Sequence, residues 1–255
     1  MVYVLTAACA VAVVFIASRM VRRLKHGVED PDPDGPTSAH AGSMLSALFL
    51  LAFAIAIVVP WTTADSARSN TYAETQAISE AFWAASRLPA ADARRLQSEL
   101  REYTDVVRGP EWRLMRKDHR LSADGWARLD AMRRDTIAIK ADDDEYKDAR
   151  GAVLEHISEI SAARHQRAMD ARTSPPASLL IVTLLSGLVV MLLPFLSGAR
   201  PRGMTLIPLG VMAALLALGC YLVLDIMRPF TGALAVAPDA FTNLQGELQR
   251  ITGGG

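Results

Sequence analysis

Hydrophobic and polar positions segregate along this chain into four charge-free apolar stretches and one long charged block. The stretches span residues 1–18, 41–64, 175–199 and 203–224, and they fall in two pairs on either side of the block. A hydrocarbon core ~30 Å thick is crossed by ~20 apolar residues at helical rise. Backbone groups cannot be left unpaired in lipid, so each stretch is expected to be a helix. The pattern therefore predicts an all-α fold with four transmembrane helices, two plus two. An antiparallel helical-bundle domain, residues 65–174, is inserted between helices 2 and 3. Residues 19–40 form a linker between the first two helices, and residues 225–255 a turn followed by an amphipathic C-terminal helix.

Inside the block the apolar positions follow a helical period. Ala77, Ile78, Ala81, Phe82, Ala85 and Leu88 share a face over 66–88, and Leu96, Leu100, Tyr103 and Val107 share one over 90–108. Gly109-Pro110 should break or kink that second helix, because proline lacks the donor N–H and crowds the preceding turn. Glu111–Lys117 then continues as a short piece. Ser122 is placed to cap a helix over 123–140. A last helix over 143–172 uses Tyr146, Ala149, Val153, Ile157 and Ile160 as its apolar face. The acids Asp142–Glu145 read as its start, since acids favour the positive end of the helix dipole. They lack the glycine and spacing of a calcium loop. In the tail, Phe241, Leu244, Leu248 and Ile251 form one stripe.

Charge adds a topology. The block carries 19 of the 27 Lys and Arg and 20 of the 27 Asp and Glu, so it is dense in charge yet close to neutral. That is no nucleic-acid footprint. No basic residue precedes Leu5–Ile16, whereas Arg19, Arg22, Arg23 and Lys25 follow it. Positive residues stay inside, so the linker is expected in the cytoplasm and domain 65–174 on the extracytoplasmic side of the cell membrane. The only cysteines, Cys9 and Cys220, lie in apolar stretches with no CxxC pair or Cys/His cluster. No metal site or cofactor is expected. No P-loop, GxSxG or HExxH occurs, so no enzyme is expected. The apolar stretches also lack the ionisable residue that a proton-coupled transporter needs.

Several residues could carry function, each with a plainer alternative. Leu45, Phe49, Phe53 and Ile57 recur every four positions on helix 2, as candidate pore or neck lining or as lipid and packing contacts. Arg164, Arg167 and Arg172, with Arg228, could form an electropositive mouth for anions. They could equally anchor helices at headgroups or pair with acids. Glu111 is either a ligand or proton acceptor, or a helix-start acid beside a buried Trp112. Asp225, Arg228, Pro229, Phe230 and Gly232 form either a gating turn or a lock between helix 4 and the tail.

These residues also carry a family resemblance. Glu74 with Ala77-Ile78, Ser86–Pro89, Leu100–Tyr103, Pro110-Glu111-Trp112, Arg164–Arg167 and Leu224–Gly232 together resemble a bacterial integral membrane family of unknown function called bestrophin-like. The resemblance covers about residues 40–250. Its most specific elements are Tyr103 with Glu111-Trp112, and Asp225 with Pro229-Phe230 and Gly232. It implies a shared architecture. The likeness to bestrophins themselves, which are pentameric anion channels with an apolar neck on the second helix, is looser and lies in the two-plus-two helices. Two functions follow as expectations: a membrane-anchored helical sensing or scaffolding module or, alternatively, an oligomeric anion channel lined by transmembrane helix 2. The expected partners are the lipid bilayer and a second copy of the chain, with no nucleic acid. The residues name no small-molecule ligand.

Overall fold

A computed structural model describes residues 36–174, 177–196, 206–232 and 234–253, together with Ala12, Ile16 and Arg19. The first apolar stretch, apart from those isolated positions, and the loop carrying Arg200 and Arg202 lie outside the described residues. Every regular element among the described residues is helical. In chain order they are α1 Pro36–Ala85, α2 Ala90–Val106, a π turn Val107–Glu111, α3 Trp112–Asp118, α4 Ala123–Ala138, α5 Asp144–Arg172, α6 Ala177–Leu196, α7 Leu206–Ile226 and α8 Asp239–Gly253. The chain divides into two compact units, one of residues 1–61 and 175–227, the other of 62–174 and 228–255.

The first unit contains the apolar half of α1 with α6 and α7. The apolar stretch 41–64 and the helical face over 66–88 form one continuous helix that runs through Pro60 to Ala85. Proline removes one donor, and the ladder resumes on either side of that gap. Among the described residues α1 contains a segment long and apolar enough to cross a membrane, and shorter apolar helices cover Ile181–Leu192 and Gly210–Ile226. Small residues let these helices approach closely. A Cβ on Gly219 would lie 2.4 Å from the Phe53 ring, and one on Gly187 would lie 2.9 Å from Leu216 and 3.2 Å from Phe49. Phe49 and Phe53 are stacked with centroids 5.5 Å apart, so both rings fill the grooves that the glycines leave.

The second unit is the charged block plus the tail. Its core joins Ile78 and Phe82 of α1, Leu96, Leu100 and Tyr103 of α2, Met132 of α4, Ile157 and Ile160 of α5, and Phe241 and Leu244 of α8. The ends of its helices follow from local chemistry. The Ser122 hydroxyl accepts a hydrogen bond from the Gly125 N–H at 3.1 Å and caps α4. The Asp143 carboxylate accepts from the Glu145 N–H at 3.3 Å and caps α5. At Gly109-Pro110 the helix widens rather than breaks. The Trp112 N–H donates to the Val107 carbonyl five residues back, the π pattern. That single wide turn places consecutive residues, Glu111 and Trp112, both inside.

Candidate functional site

A buried cluster of charged and polar side chains occupies the centre of the second unit. Glu74, Tyr103, Glu111, Arg164 and Arg167 are all fully buried. Glu74 continues the inward face of α1 that carries Ile78 and Phe82. Arg164 and Arg167 continue the inward face of α5 beyond Ile157 and Ile160. The π turn aims Glu111 at the same point.

The partners bind one another closely, although the Arg164 Nε has no hydrogen-bond partner among the described residues. Arg167 donates from Nε to Glu74 Oε2 at 2.7 Å and from Nη2 to Glu74 Oε1 at 3.0 Å, a two-pronged pair. The same Nη2 reaches Glu111 Oε1 at 3.0 Å. Arg164 grips Glu111 through Nη1, at 2.7 Å, and through Nη2. Tyr103 donates its hydroxyl to Glu74 at 2.6 Å and accepts from Arg164 at 3.2 Å. Ser122 closes the ring: its N–H and hydroxyl donate to Glu111 Oε2 at 2.9 and 2.6 Å, while its carbonyl accepts from Arg164 at 3.1 Å. Aromatic faces cover the guanidinium groups, with Trp126 4.7 Å from Arg164 and Phe241 5.5 Å from Arg167.

Two carboxylates against two guanidinium groups leave the cluster neutral. Burial works against the Glu111 carboxylate, but hydrogen bonds from Arg164 and the charge of Arg167 outweigh it and hold its pKa below the ordinary value. Burial, reinforced by the neighbouring Glu74 carboxylate, pushes the Tyr103 hydroxyl well up. Tyr103 is therefore a hydrogen-bond donor at any physiological pH. Both carboxylates are spent on cations and donors, so the cluster holds no free base. Its chemistry is cohesion: it ties α1, α2, the π turn, the start of α4 and α5 to one point. Among the described residues no group of His, Cys, Asp and Glu could hold a metal ion.

A second layer locks the tail to this cluster. Trp112 packs edge-on against Phe230 at 5.5 Å and against Phe241 at 6.0 Å. Ser79 donates to Glu247 of α8 at 2.7 Å. Between α7 and α8 the chain turns through Pro229–Gly232, with the Val236 N–H on the Pro229 carbonyl at 2.7 Å and Gly232 at φ 100°, where side chains are strained.

The structure thus brings together Tyr103, Glu111, Trp112, Arg164, Arg167 and Phe230. Arg164 and Arg167, read in the sequence as an anion mouth or as partners of acids, are neutralised by Glu111 and Glu74 and closed to solvent. Arg172 is exposed at the end of α5. Arg228 is exposed and donates to His119 Nε2 at 2.5 Å. Asp225 lies half-buried in the last turn of α7. In the first unit Phe49 is buried and Leu45, Phe53 and Ile57 are half-buried, with both phenyl rings turned toward the glycines of α6 and α7. The outward face of α1 is a neighbouring stripe: Met44, Leu48, Leu51, Ile55 and Val58.

Gly125 had no evident role in the sequence. A Cβ there would lie 2.1 Å from Arg164 Nη2, so the guanidinium occupies the space that glycine leaves. Gly125→Ala is expected to displace Arg164 from Glu111 and to lower stability by about 1–3 kcal/mol, the usual cost of overpacking. Urea unfolding of the purified chain checks it, and an unchanged midpoint would show that Arg164 finds another seat.

The sequence profile of the Bestrophin-like domain matches residues 4–241. The chain belongs to the bestrophin-like family. The crystal structure of a point variant of a bacterial bestrophin homologue from Klebsiella pneumoniae superposes with a TM-score of 0.68 at 15% sequence identity, covering 99% of this chain and 100% of that one. The fold is shared over the full length of both. Among curated proteins none matches this chain. The residues that first suggested the bestrophin-like resemblance include Glu74, Tyr103, Glu111, Trp112, Arg164, Arg167 and Phe230, so much of that pattern belongs to the cluster and its aromatic cover.

Proposed function

We propose that this bestrophin-like chain is a multi-pass membrane protein that assembles as an oligomer around an anion-conducting axis lined by α1. The reading rests on the full-length bestrophin fold, combined with a charge-free segment of α1, residues 41–64, whose outward face is a run of large aliphatic side chains. A hydrophobic constriction gates by dewetting, and such a face supplies one. Four membrane helices carry the axis, and block 65–174 is an extramembrane domain whose own helices are held together by the neutral cluster. Chloride flux through reconstituted vesicles is the deciding experiment.

The competing reading, a membrane-anchored sensing or scaffolding module without conduction, draws on the cluster itself. Its cations are closed off and matched one for one by acids, so they offer nothing to a passing anion.

The charge order around the first apolar stretch supports an extracytoplasmic block. In a cysteine-free background, a cysteine at Asp142 is expected to react with an impermeant maleimide on intact cells, and one at Asp32 only after lysis. The opposite pattern would turn the chain over in the membrane.

A further inference from the structure

The outward side of α3 carries a second cationic site, with a different character from the buried cluster. Arg113, Arg116 and Lys117 are exposed and, at i, i+3 and i+4, share one helix face. They line a shallow groove whose other wall is the Thr231-Gly232 turn. Two contacts independent of any ligand fix that wall: Arg228 donates to His119 just past α3, and Phe230 packs on Trp112 at the start of α3. The groove is therefore preformed.

Among the described residues no acid matches its charge. Arg95, Arg108, Arg120, Arg128 and Lys147 each reach an acid, and the nearby Asp118 is taken by Arg120 at 3.7 Å. Arg113, Arg116 and Lys117 reach none among the described residues. Arg116 and Lys117 complement the negative end of the α3 dipole. α3 continues α2 through the π turn, so Arg113 sits within a continuous run of helix and points outward beside Arg116 and Lys117. Arg113 lines the groove together with Arg116 and Lys117. Two guanidinium forks, an ammonium group and the Thr231 hydroxyl suit a tetrahedral oxyanion carrying more than one charge.

We infer that the groove between α3 and the 231–232 turn binds a phosphate-bearing anion, with Arg113 and Arg116 as forked donors and Lys117 and Thr231 completing the set. The site stands apart from conduction and holds whether or not α1 lines a pore. The phosphate can come from a soluble compound or from an anionic lipid headgroup.

Calorimetric titration of the full-length chain in a zwitterionic detergent separates the sources. Inorganic pyrophosphate is one probe, and dihexanoyl phosphatidylglycerol is the other, with dihexanoyl phosphatidylcholine as the neutral control. Saturable binding of pyrophosphate alone assigns a soluble ligand, and binding of the glycerol lipid in preference to the choline lipid assigns a headgroup. In either case R113Q/R116Q is expected to weaken binding by roughly tenfold or more. R133Q/R134Q, which removes two exposed cations from α4, is expected to leave it unchanged. K117Q repeats the test with a single exposed change should the double variant fold poorly. No saturable binding of either probe overturns the site. So does equal weakening by the α4 variant, which would reduce the effect to net charge.

Discussion

Arg167→Met is expected to be among the most destabilising single substitutions in the block. It keeps the volume of the side chain and removes its charge. Glu74 then retains only the Tyr103 hydroxyl, and Glu111 only Arg164 and Ser122. Breaking a buried ion pair by deleting one partner costs about 3–5 kcal/mol, because the other charge is left without compensation. The whole domain is worth only about 5–15 kcal/mol. Chemical unfolding of the full chain in detergent should show a midpoint displaced far below wild type. The double variant R167M/E74Q removes the orphaned carboxylate together with its partner and is expected to recover part of the loss. A double-mutant cycle distinguishes the pair from simple packing: additive effects would mean that the two side chains act separately.

Acid should act on the same cluster in a predictable direction. The Glu111 pKa is held down in the folded state. Its contribution is therefore complete above the unfolded value of about 4.3 and is lost as pH falls toward the lower folded value. Glu111→Gln carries no such titration. Stability measured between neutral pH and pH 3 should fall more steeply for wild type than for E111Q, and parallel curves would show that Glu111 is not held low.

Much of this fold is legible in the sequence. Helical periodicity locates α2, α4, α5 and α8 to within a few residues, and the hydroxyl of Ser122 and the carboxylate of Asp143 mark two helix starts. What escapes is what depends on pairing over distance. Glu74 meets Arg167 across 93 positions, and Glu111 meets Arg164 across 53. Charge counting assigns Arg164 and Arg167 to a surface as readily as to a core, because it does not see their partners. The inward face of α5 does carry a signal: Ala149, Val153, Ile157 and Ile160 continue without a change of phase into Arg164, Arg167 and Ala171. Arginines on a buried face demand carboxylates on the facing elements, and Glu74 sits in the equivalent phase on α1. The widening at Gly109-Pro110 reads equally well as a break. Only the fold shows that a π turn there sends Glu111 and Trp112 both inward. The neck stripe on α1 illustrates another limit. A four-residue repeat fixes which side chains share a face and leaves open what that face meets, and Gly187 and Gly219, far along the chain, supply part of the answer.

That distinction between the two stripes of α1 gives the pore reading its test. The reconstituted wild type is expected to pass chloride at a low rate limited by an apolar constriction. Leu48 and Ile55 are among the exposed side chains on the outward face of α1. L48A/I55A should therefore widen and wet the constriction, raise chloride flux several-fold, and leave the melting curve near that of wild type. Phe49 and Phe53 rest against the glycines of α6 and α7. F49A/F53A should empty those grooves, and truncating a buried Phe costs about 3–5 kcal/mol at each fully packed site. The signature is a split: flux changes with the outward stripe and stability with the inward one. Raised flux in F49A/F53A with an unchanged melting curve would return the axis to Leu45, Phe49, Phe53 and Ile57. Absence of flux from wild type and both variants, in vesicles where the protein is folded and oriented, would end the channel reading in favour of a sensing or scaffolding module.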